Sequence, residues 1–132
     1  MHTQPTPPEH AIEVLDDILE LRPPAVFDRA FAEQAIAAIA ELQTRRPRIF
    51  VLSASGQSLT PEARKVVGDW LLTAPRILDT AVYGGGALHR AISEMIARSV
   101  HFFRPGRVHI TFHRTRDDAL AWIAARRRSP PP

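Results

Sequence analysis

Gly84, Gly85 and Gly86, followed by His89 and Arg90, come nearest to a chemical site by residue type and spacing. Three glycines leave bare backbone amides. If a helix starts just beyond them, those amides and the Arg90 side chain would hold a phosphate or another anion. The spacing fits neither the Walker nor the dinucleotide fingerprint, so a structural turn with close helix packing is the plainer account. His109 and His113 are four residues apart, which on one strand face is about 13 Å at ~3.3 Å per residue, too far to chelate one metal. They read as exposed strand histidines, and neither a metal site nor a cofactor is expected. Asp79, His89 and a nearby serine would form a hydrolytic set only if the fold gathered them, and the nucleophile-elbow pattern is absent. The chain has no cysteine, hence no thiolate nucleophile, thiolate metal site or disulfide framework. Catalysis is not expected.

The elements that must position these residues are organised around Arg48 to Trp70. Ile49, Phe50, Val51 and Leu52 form a continuous apolar run, the pattern of a strand covered on both faces. Ser53, Ser55, Gly56, Gln57 and Ser58 then supply turn-compatible residues. Thr60, Pro61 and Glu62 follow as N-cap hydroxyl, first-turn proline and first-turn acid, so a helix starts at about Pro61. Ala63, Val66, Val67, Trp70 and Leu71 recur at helical spacing and should cover the strand.

A chain of 132 residues, 45% hydrophobic, suits one domain with a single core. No stretch approaches the ~20 apolar residues of a membrane span and no signal pattern opens the chain, which reads as cytoplasmic. Sixteen of the seventeen basic residues are arginine, yet the net charge is only +3. That bias is better explained by codon usage than by nucleic-acid binding, for which no motif is present.

Residues 1–10 read as a disordered lead-in, 11–128 as a single domain and 129–132 as a disordered tail. Ala11 to Arg22 alternates weakly and suggests a hairpin turning at Asp16-Asp17, with a short helix as the competing account. Pro23-Pro24 ends it, and Asp28 caps a helix running to about Gln43, with Phe31, Ala35, Ala38, Ile39 and Leu42 inward. Arg76 to Tyr83 reads as a second buried strand. The glycines lead into a helix with Leu88, Ala91, Ile92, Met95 and Ile96 at core spacing. Arg107 to His113 alternates as an edge strand, with Val108, Ile110 and Phe112 on one face and His109, Thr111 and His113 on the other. Thr115 and Asp118 open a last helix carrying Ala119, Leu120, Trp122 and Ile123, and Arg126 to Arg128 suit its C-terminal dipole. Phe102, Phe103 and Trp122 belong to core or rim. The order β-β-α-β-α-β-α-β-α implies an α/β fold with a mixed, mostly parallel sheet and interspersed helices.

From Ala11 to Ala125 this order resembles the STAS fold, and most of all its diverged bacterial SpoIIAA-like group. The stretches that carry the resemblance are ILELR, FVLSASGQSLTPEARKVVGDW, AVYGGG and ITFHRTRDDALAWI. It implies a non-enzymatic regulatory domain working through a protein partner, as anti-sigma-factor antagonists do. In classical members an Asp-Ser-Ser-Gly motif before the helix carries a phosphorylated serine. Here Ser58-Leu59-Thr60-Pro61 stands in that place, so Ser58 and Thr60 become the candidate phosphoacceptors. An N-cap role for Thr60 and turn roles for the serines compete with that assignment.

Two functions follow as expectations. In the first, Ser53, Ser55, Gln57 and Arg64 present a surface to a partner protein, gated by phosphorylation. In the second, a small-ligand module binds an anionic metabolite, nucleotide or lipid at Gly84, Gly85, Gly86 and Arg90. Homodimerisation through an edge strand or helix face is open to this sequence but not specified by it.

Overall fold

The structure, a computed structural model, describes residues 11–55, 58–73, 78–86, 91, 94–95, 98 and 108–129. Strands β1 (Ile12–Leu15) and β2 (Ile18–Leu21) form the hairpin, with Asp16 and Asp17 as its turn. Asp16 takes the left-handed conformation, φ 62°, that a two-residue turn requires. After the short strand β3 (Val26–Phe27), helix α1 (Arg29–Arg45) starts where the Asp28 carboxylate accepts the Phe31 amide at 2.9 Å. Strand β4 (Phe50–Ser55), short strand β5 (Ser58–Leu59), helix α2 (Pro61–Thr73), strand β6 (Leu78–Gly84), strand β7 (Val108–His113) and helix α3 (Arg116–Arg127) follow.

Five strands make one mixed sheet in the order β1-β2-β4-β6-β7, antiparallel at β1/β2 and parallel elsewhere. β3 and β5 form a separate parallel pair. The step from β2 to β4 and the step from β4 to β6 run the same way across the sheet. Right-handed crossovers therefore put α1 and α2 on the same face. α3 follows the last strand, is bound by no crossover, and covers the other face.

Each face has its own core. Leu19, Leu21, Val51 and Leu78 meet Phe31, Ala35, Ile39, Leu42 and Leu71 on the α1/α2 side. Ile18, Phe50, Leu52 and Ala81 meet Ala119 and Ile123 on the α3 side. Alternation along strands covered on both faces produces this division. Phe50 is fully buried, with the Arg48 and Arg127 guanidinium carbons 5.0 and 5.6 Å from its ring centroid. Its removal should cost about 3–5 kcal/mol.

Several sequence expectations need correction. Ser53 and Ser55 are not turn residues: β4 runs through Ser55, because each of its residues has a partner in β6 out to Ser55 and Gly84. Ala91 and Met95, expected in the core, are helical but exposed, Met95 at 61%. They lie four apart, on one helical face, and that face is the solvated one. Leu88, Ile92, Ile96, Phe102 and Phe103 lie outside the described residues. Ser129, placed at the start of the tail, accepts a 2.7 Å hydrogen bond from Arg48 Nη1 through its carbonyl oxygen. Arg126 and Arg127 do more than complement a helix dipole, since they bond Asp79 and Asp17. Among the described residues no helix is long and apolar enough to cross a membrane.

Candidate functional site

Between the sheet and the α1/α2 layer lies a cavity of about 450 Å³, within the size range of small-molecule sites. Its floor is the α1/α2 face of the sheet. Leu21, Val51 and Ser53 contribute from β2 and β4, Thr80 and Val82 from β6, and Ile110 and Phe112 from β7. α1 supplies Ala32, Ala35, Ile36 and Ile39, and α2 supplies Val67, Trp70 and Leu71. The small side chains of Ala32 and Ala35 leave room where larger residues would fill the layer. Phe27 and Leu59 from the β3/β5 pair stand at one side, where Phe27 packs edge-on against Phe31 with ring centroids 4.9 Å apart.

Among the described lining residues polar groups are few. Ser53, Ser55, Ser58 and Thr80 bring hydroxyls and Arg64 brings the charge. The lining extends from Leu78 and Val51, near the amino ends of β6 and β4, to Ser55 at the carboxyl end of β4, the end at which open α/β sheets take their ligands. A lining of this kind can desolvate an alkyl or aromatic group and orient it by one polar contact. Among the described lining residues no pair of groups is placed for proton transfer or nucleophilic attack.

The sequence-derived site residues distribute unevenly around this cavity. Ser53 and Ser55 are half-buried in β4, and the Ser53 hydroxyl donates to the Ala54 carbonyl oxygen at 3.1 Å. Ser58 is exposed in β5, its amide donating to the Ala25 carbonyl oxygen at 3.0 Å. Thr60 caps α2, its hydroxyl accepting the Ala63 amide at 3.1 Å. Arg64 is exposed on the first turns of α2. Ser53, Ser55, Ser58 and Arg64 thus meet at one cavity, whereas Gln57 lies outside the described residues.

Gly84 ends β6 opposite Ser55, and Gly84 and Gly85 have φ of 79° and 74°, conformations that exclude most side chains. Gly86 is exposed. Residues 87–90, with His89 and Arg90 of the anion site expected there, lie outside the described residues. Asp79 belongs to the opposite end of the strands, where it is buried and bonded by Arg126 at 3.1 Å and Arg48 at 3.3 Å. His113 Nε2 lies 2.8 Å from the Thr111 hydroxyl, and its ring packs 6.1 Å from Trp122. His109 Nε2 is buried with no hydrogen-bond partner among the described residues. Neither histidine stands with two other His, Asp or Glu side chains in a metal-binding group among the described residues.

Sequence reasoning missed a second cluster, on the α3 face. Glu20 is 1% exposed. Arg116 forks onto it, Nε to Oε2 and Nη2 to Oε1, both at 2.8 Å. Tyr83 donates to Oε2 at 3.1 Å, and Arg22 Nη1 lies 3.2 Å from Oε1. The Arg116 hydrogen bonds hold the Glu20 carboxyl below its ordinary value, with burial opposing them. Burial first, then the Glu20 charge, pushes the Tyr83 phenol up. Arg22 also pairs with Glu13 at 2.9 Å, so two arginines meet two carboxylates, and the Arg116–Glu20 fork fastens α3 to the sheet. A glutamate between two leucines in a strand covered on both faces was the signal available in the sequence.

Comparisons of this chain with protein-family models, with curated proteins and with solved structures returned no match.

Proposed function

We propose that the protein is a non-enzymatic binding domain of STAS-like build that takes a small apolar molecule into the cavity between the sheet and α1/α2. The observation that carries this reading is the cavity itself, about 450 Å³ in volume, whose described lining is mostly apolar. The ligand-module function is thereby moved from Gly84, Gly85, Gly86 and Arg90 to a site on the same sheet.

Trp70 lines the cavity and the other tryptophan, Trp122, packs on the α3 face. Titration with straight-chain alcohols should therefore shift Trp70 emission and raise the melting temperature with concentration. Ser53→Leu, which fills the floor, should abolish both responses while the variant stays folded. Absence of any response from the wild type across the alcohol series would overturn the proposal.

A second reading keeps the partner surface. Val26 and Leu59 are exposed, at 53% and 36%, on the β3/β5 pair, where Val26 lies opposite the exposed Ser58. Two exposed apolar residues beside a phosphorylatable hydroxyl suit a partner contact switched by charge. Ser58→Asp should then change capture of a purified partner, and equal capture by both forms would remove this reading.

A further inference from the structure

We infer that the occupant of the cavity is a free single-chain fatty acid, its carboxylate held by Arg64 and its chain lying along Trp70, Ile110 and Phe112. This rests on the cavity reading above and assigns its ligand class.

Three observations carry the assignment. The first concerns charge. Arg64 is the one charged side chain among the described residues lining the cavity, and no acid stands beside it there. The second concerns pairing. Exposed cations elsewhere on the two covering helices have partners: Arg29 bonds Glu33 at 3.0 Å, Arg45 lies 3.4 Å from Glu41, and Lys65 bonds Asp69 at 2.9 Å. The Arg64 guanidinium has none among the described residues. A planar fork of donors at the edge of an apolar space matches a carboxylate, and one arginine with neutral hydroxyls around it matches a single negative charge. The third concerns size. A cavity of about 450 Å³ falls toward the lower end of the size range of small-molecule sites, and an acyl chain of medium length is a ligand of that size.

The test uses the full chain, with calorimetry and Trp70 emission read in parallel. The ligands are octanoate, decanoate and dodecanoate below their micelle concentrations, then dodecanol and dodecyltrimethylammonium. Affinity should rise along the carboxylate series by about fourfold per methylene. Dodecanol and the cation should bind at least tenfold more weakly than dodecanoate. Arg64→Ala should weaken dodecanoate about tenfold, the scale of one charge-assisted hydrogen bond, and leave dodecanol unchanged. Arg64→Lys should recover part of the loss.

Equal binding of dodecanoate and dodecanol, with no effect of Arg64→Ala, would overturn the fatty-acid assignment and leave the cavity reading standing. Carboxylate affinity that does not depend on chain length would also overturn it. Failure of every alkyl compound would overturn both.

Discussion

Arg116, in the first turn of α3, forks onto Glu20 in β2 across 96 positions of sequence, with both hydrogen bonds at 2.8 Å. The carboxylate is 1% exposed and the arginine partly so, at 42% of its side chain. A buried charge that loses its main partner keeps its desolvation cost without the compensating attraction. Arg116→Ala should therefore lower unfolding free energy by about 3 kcal/mol in urea titration. Arg114→Ala, two positions away and exposed, should stay within about 0.5 kcal/mol. Equal losses in the two variants would show that the fork contributes no more than a surface arginine.

The same pair sets an acid limit on stability. Arg116 holds the Glu20 carboxyl below its ordinary value near 4.5. A carboxyl whose folded-state pKa is depressed contributes fully above its unfolded value, and that contribution fades as pH falls through the folded value. Glu20→Gln should be less stable than the wild type at pH 7, and the gap should narrow as pH drops below about 4.5. Denaturant midpoints at half-unit intervals from pH 7 to pH 3 would measure it, and a gap that stays constant would contradict the coupling.

Asp16 offers a gain in stability. Its φ of 62° is a left-handed conformation that glycine adopts without strain. Its side chain pairs with Arg46 in an exposed ion pair, worth a few tenths of a kcal/mol. Relief of about 1–2 kcal/mol of left-handed strain should outweigh both that loss and the extra freedom glycine gives the unfolded chain, so Asp16→Gly should raise stability by about 0.5 kcal/mol. A fall in melting temperature would mean that the ion pair matters more than the turn.

Much of the fold was legible because local patterns agreed with it. The apolar run at Phe50 to Leu52 marked a strand covered on both faces. Asp28, Thr60 and Thr115 each announced a helix start, and all three side chains accept the amide three residues on. The alternation from His109 to His113 placed Ile110 and Phe112 toward the cavity and His113 toward Trp122, but both histidines, expected to be exposed, are half-buried, and His109 Nε2 is fully covered. The site was legible only in fragments. Ser53, Ser55, Ser58 and Arg64 were singled out for a surface, yet they share a cavity because small residues on α1, distant in sequence, leave space above β4. No local pattern encodes an absence of volume between two elements. The Glu20 cluster was hidden for a related reason: a buried acid demands a cation, but among sixteen arginines nothing local marks Arg116 as the one that reaches it.

Ser58 and Thr60 can be separated by stability alone, before any partner is known. The Thr60 hydroxyl accepts the Ala63 amide at 3.1 Å, and the Thr60 amide donates to the Phe27 carbonyl oxygen at 3.1 Å. Its side chain is therefore already committed to the start of α2. Thr60→Ala should cost about 1 kcal/mol, the usual loss on removing an N-cap. Thr60→Ser should restore most of it, because only the hydroxyl is needed. Ser58 is exposed in β5 and anchored through its backbone amide, so Ser58→Asp should change stability by less than about 0.5 kcal/mol. With no side-chain bond among the described residues, the Ser58 hydroxyl could take a phosphate without unwinding the helix behind it, which favours Ser58 over Thr60 under the partner reading proposed above. Calorimetric melting of the three variants decides the matter: a loss at Ser58→Asp with none at Thr60→Ala would reverse the assignment.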